Sequence, residues 1–203
     1  MNNLSTEIEE LRKKYREIFI ETCKEFENKI QHLNEEEFIN FLNKDITKEI
    51  YLKQKQITES RKKFKCEGCA ACCKLACSEF SLEELKQKSQ NGDNFAQQFL
   101  SVFVPYESES EAEKIYPEYF KLLKEKKQNE KIYFYYCPKL TKDNRCPDYE
   151  NRPQICKDFP DNPLGLLPIT CGFKTWKKEV ETIALKLHSL FEILEFYKKK
   201  LLS

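Results

Sequence analysis

Between Leu4 and Leu33 the apolar residues fall at Leu4, Ile8, Leu11, Tyr15, Ile18, Phe26, Ile30 and Leu33. The intervals are three, four or sums of the two, which is the period of one helix face, and Glu, Lys and Arg occupy the positions between. A second stripe, Phe38, Phe41, Leu42, Ile46, Ile50 and Ile57, predicts another helix from Glu35 to about Ser60. No glycine or proline interrupts residues 1–67, so the two segments read as a helical hairpin turning near Asn34. At the other end, Val180, Ile183, Leu187, Leu190, Ile193, Leu194 and Tyr197 repeat the helical period through residues 176–202. That predicts a long amphipathic helix packed on the N-terminal pair.

The middle of the chain changes character. Ser81-Leu82-Glu83-Glu84 is a capping box opening a short helix, Asn91-Gly92-Asp93 a turn, and Phe95 to Leu100 a further helical piece. Val102-Phe103-Val104 reads as a short strand ended by Pro105, and the acidic residues 107–113 as an exposed loop or helix start. A helix is expected from Tyr116 to Lys127, with Pro117 in its first turn. Lys131 to Tyr136 is the clearest strand and runs straight into Cys137. Residues 138–172 are rich in proline and should be mostly loop, burying too little apolar surface to order without a metal or a disulfide. The expected architecture is mainly α. A helical hairpin (residues 1–63) and a C-terminal helix (173–203) flank a loop-rich, cysteine-ligated module (64–172) with at most a few short strands.

Charge adds little: 35 Lys and Arg against 34 Asp and Glu leave a net charge of +1, so no global field favours nucleic acid or anionic lipid. The basic stretch Arg61-Lys62-Lys63-Phe64-Lys65 is a solvated linker or, as a rival reading, a phosphate-binding patch of a partner or nucleic-acid adaptor. No apolar run nears the ~20 residues that span a bilayer. Met1 to Glu7 lack the basic and apolar regions of an export signal, so a cytoplasmic protein without a membrane partner is expected. The four glycines, Gly68, Gly92, Gly165 and Gly172, form neither a dinucleotide-binding nor a P-loop motif, which disfavours ordinary nucleotide or S-adenosylmethionine binding. No catalytic residue is identified.

Cysteine alters the picture most. The chain has 10, all but Cys23 lying between Cys66 and Cys171. Cys23 sits within the first helix beside its stripe and reads as packing. Cys66, Cys69, Cys72 and Cys73 form C-x-x-C-x-x-C-C, and Cys77 follows. Two-residue spacing turns the chain back so that successive thiolates converge, with Gly68 supplying backbone freedom. The distal set is Cys137, Cys146, Cys156 and Cys171. The only histidines, His32 and His188, lie far away in sequence, which leaves a thiolate site. Metal ligation accounts for this regular spacing better than disulfides, which need an oxidising compartment, or a redox dithiol, which wants a βαβ setting. Three evenly spaced cysteines plus a remote one before proline are closer to iron–sulfur spacing than to paired zinc knuckles. Two zinc ions, or one cluster plus spare thiols, can both be built. Adjacent Cys72 and Cys73 should point apart, Cys72 completing the first set and Cys73 reaching a second centre or packing inward.

The whole pattern resembles the YkgJ-type CxxCxxCC cysteine-cluster family, whose domain is described as chelating zinc or iron. It is carried by the first quartet, Cys137-Pro138-Lys139-Leu140, Cys146-Pro147, the Tyr149-x-x-Arg152-Pro153-x-x-Cys156 step and Phe159-Pro160, over about residues 64–172. The resemblance implies Cys66, Cys69, Cys72, Cys73, Cys137, Cys146 and Cys156 as ligands. Cys77 and Cys171 fall outside the core pattern and are weaker candidates. Arg152 and Pro153 belong to the signature: the proline stiffens the approach to Cys156, and the guanidinium can offset thiolate charge. Some relatives, the flagellin lysine N-methylases, carry the pattern in a larger chain and are thought to hold an iron–sulfur cluster. A cluster-dependent protein-modifying enzyme is therefore the alternative function.

Overall fold

The protein is described by a computed structural model covering residues 3–126, 131–168 and 170–202. The side chain of Leu4 and all of Lys127, both named above, lie outside the described residues. Among the described residues the fold is mainly α, with three short strands, and the chain divides into two compact units: residues 1–65 with 175–203, and residues 66–174.

In the first unit α1 (Asn3–Ile30) is followed by a turn and by a continuous run made of α2 (Glu35–Asn40), a π-helical segment (Phe41–Ile46) and α3 (Thr47–Arg61). Asn34 caps the run with a reciprocal capping box: its side chain accepts from the Glu37 amide, and the Glu37 carboxylate accepts from the Asn34 amide. The π-helical segment follows from the sequence. Phe38, Leu42, Ile46 and Ile50 recur every fourth residue, a spacing that drifts about 40° per step around an α-helix. Wider π turns cancel that drift and keep all four on one side. The unit also contains α10 (Lys174–Leu202) from Thr175 onward. Phe26 of α1, Leu42, Ile46 and Ile50 of the second run, and Leu190, Ile193 and Leu194 of α10 form one buried apolar cluster. Tyr197 stacks on Phe26 at 5.0 Å between ring centres and meets Phe38 edge-on at 5.4 Å.

The second unit opens with α4 (Ala71–Lys74) and β1 (Ala76–Ser78), then α5 (Leu82–Gln90), α6 (Asn94–Val102), β2 (Val104–Pro105), α7 (Glu109–Ile115), α8 (Pro117–Lys126), β3 (Tyr133–Tyr136) and α9 (Gln154–Asp158). The strands form an antiparallel sheet of order β1-β3-β2, with Cys77 opposite Phe134 and Val104 opposite Tyr136. Ser81 caps α5 as the sequence indicates, and Asp93, in the expected turn, caps α6. Leu85, Ala96, Phe99 and Tyr135 are the core between these helices and the sheet.

Two local expectations need correction. Val102 closes α6 rather than opening a strand, and the strand is Val104–Pro105. It lies at a sheet edge, where a residue without an N–H is tolerated. Of the two readings of the acidic stretch, the helix start holds: it becomes α7 because Ser108 caps it and Glu109 and Glu111 suit the positive helix start. β3 begins at Tyr133, two residues later than the pattern suggests. β1 was not foreseen: three residues among cysteines carry no strand signal.

Candidate metal centre

The first cysteine segment is a tight turn leading into a single helical turn. Gly68 and Ala70 adopt left-handed backbone, φ 71° and 60°, which folds the chain back between Cys66 and Cys72. The Gly68 amide thereby donates to the Cys66 sulfur at 3.4 Å. Cys72 and Cys73 follow within α4, so their side chains leave the helix about 100° apart.

Strand β3 delivers Cys137, whose own amide donates to the Cys73 carbonyl at 2.7 Å. The Pro138 turn then aims the Lys139 and Leu140 amides at the Cys137 sulfur. Beyond it, Thr141 and Arg145 close a small loop with bonds of 3.0 Å (Thr141 N–H to the Arg145 carbonyl) and 2.9 Å (Arg145 N–H to Thr141 Oγ1). That loop leads to Cys146. The Tyr149 hydroxyl donates to the Cys66 carbonyl, tying the two cysteine stretches together. Arg152 packs its guanidinium 3.7 Å over the Tyr149 ring, donates to the Tyr149 carbonyl at 2.8 Å, and hydrogen-bonds the Cys66 sulfur. Cys156 lies in α9, anchored where the Ile155 amide donates to Gln98 Oε1 at 3.0 Å. Cys171 receives the Phe173 amide on its sulfur. Next to it, a Cβ on Gly172 would stand 2.6 Å from Glu67, so this chain segment lies directly against the first cysteine turn.

All these pieces surround one cavity of about 720 Å³. Its walls include Cys66, Cys69, Cys72, Cys73, Cys77, Cys137, Cys146, Cys156 and Cys171, together with Arg152 and Pro153. Each of these cysteines is half-buried as a residue and none is in a disulfide. Cys23 lies in α1, packed beside the apolar cluster of the other unit. No histidine lines the cavity among the described residues. Residues the sequence reading passed over are Glu67, which packs on Gly172, and Tyr119, whose phenol is pushed up by burial and by Cys77, Cys72 and Cys171. Nothing local marks Tyr119; only the fold brings it here.

The electrostatics follow from crowding soft acids in a half-dry space. The Cys72 thiol donates to Cys73, which with burial holds Cys72 well above the ordinary thiol range. Receiving that bond, and with Arg152 nearby, Cys73 falls to about 7. Burial pushes Cys156 up to about 11, with Cys73 and Cys137 adding to it. Burial likewise raises Cys137 and Cys171, partly opposed by the amides that point at their sulfurs.

The donor set fits zinc or iron: thiolates are their common ligands, and backbone N–H groups aimed at sulfur stabilise the deprotonated form that binds metal. Among the described residues, however, no three His, Cys, Asp or Glu side chains stand close enough together to hold a single metal ion. The pocket defines a thiol-rich chelating class. A family model described as "Putative zinc- or iron-chelating domain" matches residues 65–182, and the chain belongs to this CxxCxxCC family. No curated protein and no solved structure matches the chain. Among the described residues no helix is long and apolar enough to cross a membrane.

Proposed function

We propose that the protein binds an iron–sulfur centre through thiolates of the C-x-x-C-x-x-C-C segment and the distal cysteines. Cys66, Cys69, Cys72, Cys73, Cys137, Cys146 and Cys156 supply the ligands, with Arg152 balancing their charge and Pro153 stiffening the approach to Cys156. The observation that carries this reading is the meeting of both cysteine stretches around one cavity. Iron–sulfur is preferred to zinc on spacing. Four thiolates on one zinc, with Zn–S near 2.3 Å, stand only about 3.8 Å apart. A cluster places its own iron and sulfide between the cysteines and tolerates wider separation, in keeping with sulfurs that share a cavity without converging on one ion. Bound metal would supply part of the folding free energy of residues 64–172, on the order of 10 kcal/mol for structural sites. Reduced thiols of this kind belong in a reducing, cytoplasmic setting.

A cluster-dependent protein-modifying enzyme is the second reading. It is favoured by the apolar wall of the same cavity, where Phe95, Phe99 and Phe103 leave room for a substrate group beside the metal. Anaerobic purification followed by elemental analysis and a visible spectrum tests the first. Iron with equivalent acid-labile sulfide and broad, reducible visible absorption is the expected result, lost in Cys69→Ser and retained in Cys23→Ser. Colourless protein holding stoichiometric zinc would replace the cluster by zinc. A cluster spectrum that shifts on adding a peptide would support the enzyme.

A further inference from the structure

One wall of the cavity has no part in chelation. Helix α6 lines it with Phe95, Gln98, Phe99, Ser101 and Val102, and Phe103 follows just beyond the helix end. From Asn94 to Val102 the helix contains no Cys, His, Asp or Glu, so it brings the cavity no thiol, imidazole or carboxylate. Phe95, Phe99 and Phe103 recur every fourth residue and form a ladder of rings, with centres 5.5 and 4.9 Å apart. The ladder runs inward from solvent: Phe95 is 49% exposed and Phe99 4%. Phe159, at the end of α9, adds a second exposed ring to the lining. The polar groups of α6 are used locally. Gln98 Nε2 donates to Asn94 Oδ1 at 3.0 Å, Gln98 Oε1 accepts the Ile155 amide at 3.0 Å, and the Ser101 hydroxyl donates to the Gln98 carbonyl at 2.7 Å. Charges elsewhere on the lining are engaged too: Arg145 pairs with Asp143, Asp148 accepts from Asn151, and Asp158 accepts from Gln154. What this side of the cavity presents is aromatic and aliphatic surface.

We propose that the cavity is also a binding site for a small, uncharged aromatic molecule, seated against Phe95, Phe99 and Phe103 beside the thiols. This goes beyond metal binding and depends on no particular metal. The volume of about 720 Å³ lies within the range of small-molecule sites, roughly 300–1,000 Å³. Val102, Leu140 and Ile155 complete the apolar lining. A guest ring laid on the ladder continues its stacking at the roughly 4.5–7 Å that aromatic pairs adopt, and it takes the exposed face of Phe95 out of water. A charged guest would give up its hydration and meet counter-groups already bonded to their neighbours. A peptide would bring main-chain groups that need partners, and those of α6 are already taken. A compact, uncharged ring system meets neither penalty.

The test uses the full chain purified anaerobically, with its metal content measured on the same sample, and indole as the probe. Calorimetry should show saturable binding of one indole per chain. Tryptamine and indole-3-acetate, which add a positive or a negative charge to the same ring system, should bind at least about tenfold more weakly, as should a blocked Gly-Trp-Gly peptide. Phe95→Ala should weaken indole binding about 2- to 10-fold. Phe196→Ala, which removes an exposed ring from α10, should leave it unchanged. Because a variant can misfold, methyl NMR of the wild-type chain locates the site independently. Indole should shift the methyl signals of Val102, Leu140 and Ile155 and leave those of Ile20 and Ile46 in place. No indole binding, an equal loss in Phe196→Ala, or shifts centred on Ile20 and Ile46 overturns the proposal and leaves metal binding intact. Tighter binding of either charged analogue or of the peptide overturns the ligand class. Indole binding by a chain that takes up no metal supports the proposal and overturns the metal reading alone.

Discussion

At the scale of the single residue, Tyr135 shows how a side chain serves the site without touching metal. It is fully buried in the core of the second unit, and its hydroxyl donates to the Phe80 carbonyl at 2.9 Å. Its ring meets Phe99 edge-on at 5.0 Å, which fixes β3 and thus the exit towards Cys137. Burial, with Glu83 and neighbouring groups, pushes its phenol up to about 12 from 10.0. The unfolded phenol therefore ionises first. Between these two values the native state keeps a proton that the unfolded chain has lost, so stability is full below the lower value and declines as pH rises through the window. Tyr135→Phe should cost about 1 kcal/mol near neutral pH, because the Phe80 carbonyl loses its donor. Above pH 10 its denaturation curve should fall less steeply than that of the wild type. Urea titrations at a series of pH values measure both effects, and parallel alkaline limbs would contradict the assignment.

At the scale of the element, the Cys66–Cys72 turn is the piece whose shape matters most. Gly68 has open space where a Cβ would go but a φ of +71°, so Gly68→Ala meets backbone strain and no clash. Left-handed backbone costs an L-residue about 1–2 kcal/mol. The variant should thus bind metal roughly 5- to 30-fold more weakly in chelator competition, with its far-ultraviolet dichroism unchanged. This turn was legible from C-x-x-C spacing and a glycine, as was the capped start of α5 at Ser81, whereas Asn34 and Asp93 were legible as turns and not as caps. The long helices were legible because each buries one stripe and wets the rest, but the π turns at Phe41–Ile46 were not read from the pattern. Other features were not. A strand of three residues, Ala76–Ser78, exists through its pairing with β3, which lies more than fifty residues away. The place of Cys171 depends on the Gly172 backbone meeting Glu67, a contact that no local pattern encodes. Spacing named the candidate residue type; only the tertiary fold gathered the cysteines around one cavity.

At the scale of the whole molecule, the two units rest on different physics. Residues 1–65 and 175–203 share a continuous apolar cluster of Phe26, Leu42, Ile46, Ile50, Leu190, Ile193 and Leu194, and their order needs nothing but burial. The second unit has its own smaller core of Leu85, Ala96, Phe99 and Tyr135, yet residues 138–172 add mostly turns around half-buried thiols. Without metal, those thiols must either keep their protons or crowd negative charge together, and neither supplies cohesion. Metal removal should therefore act unevenly. After chelation under reducing conditions, limited proteolysis is expected to cut first within residues 138–172, while α1, α3 and α10 survive as large fragments and most of the helical dichroism remains. Restoring metal should restore resistance at the same bonds. Should chelation instead melt the long helices at the same rate as the cysteine loops, the apolar cluster could not be what sustains the first unit, and the centre would be holding the entire chain.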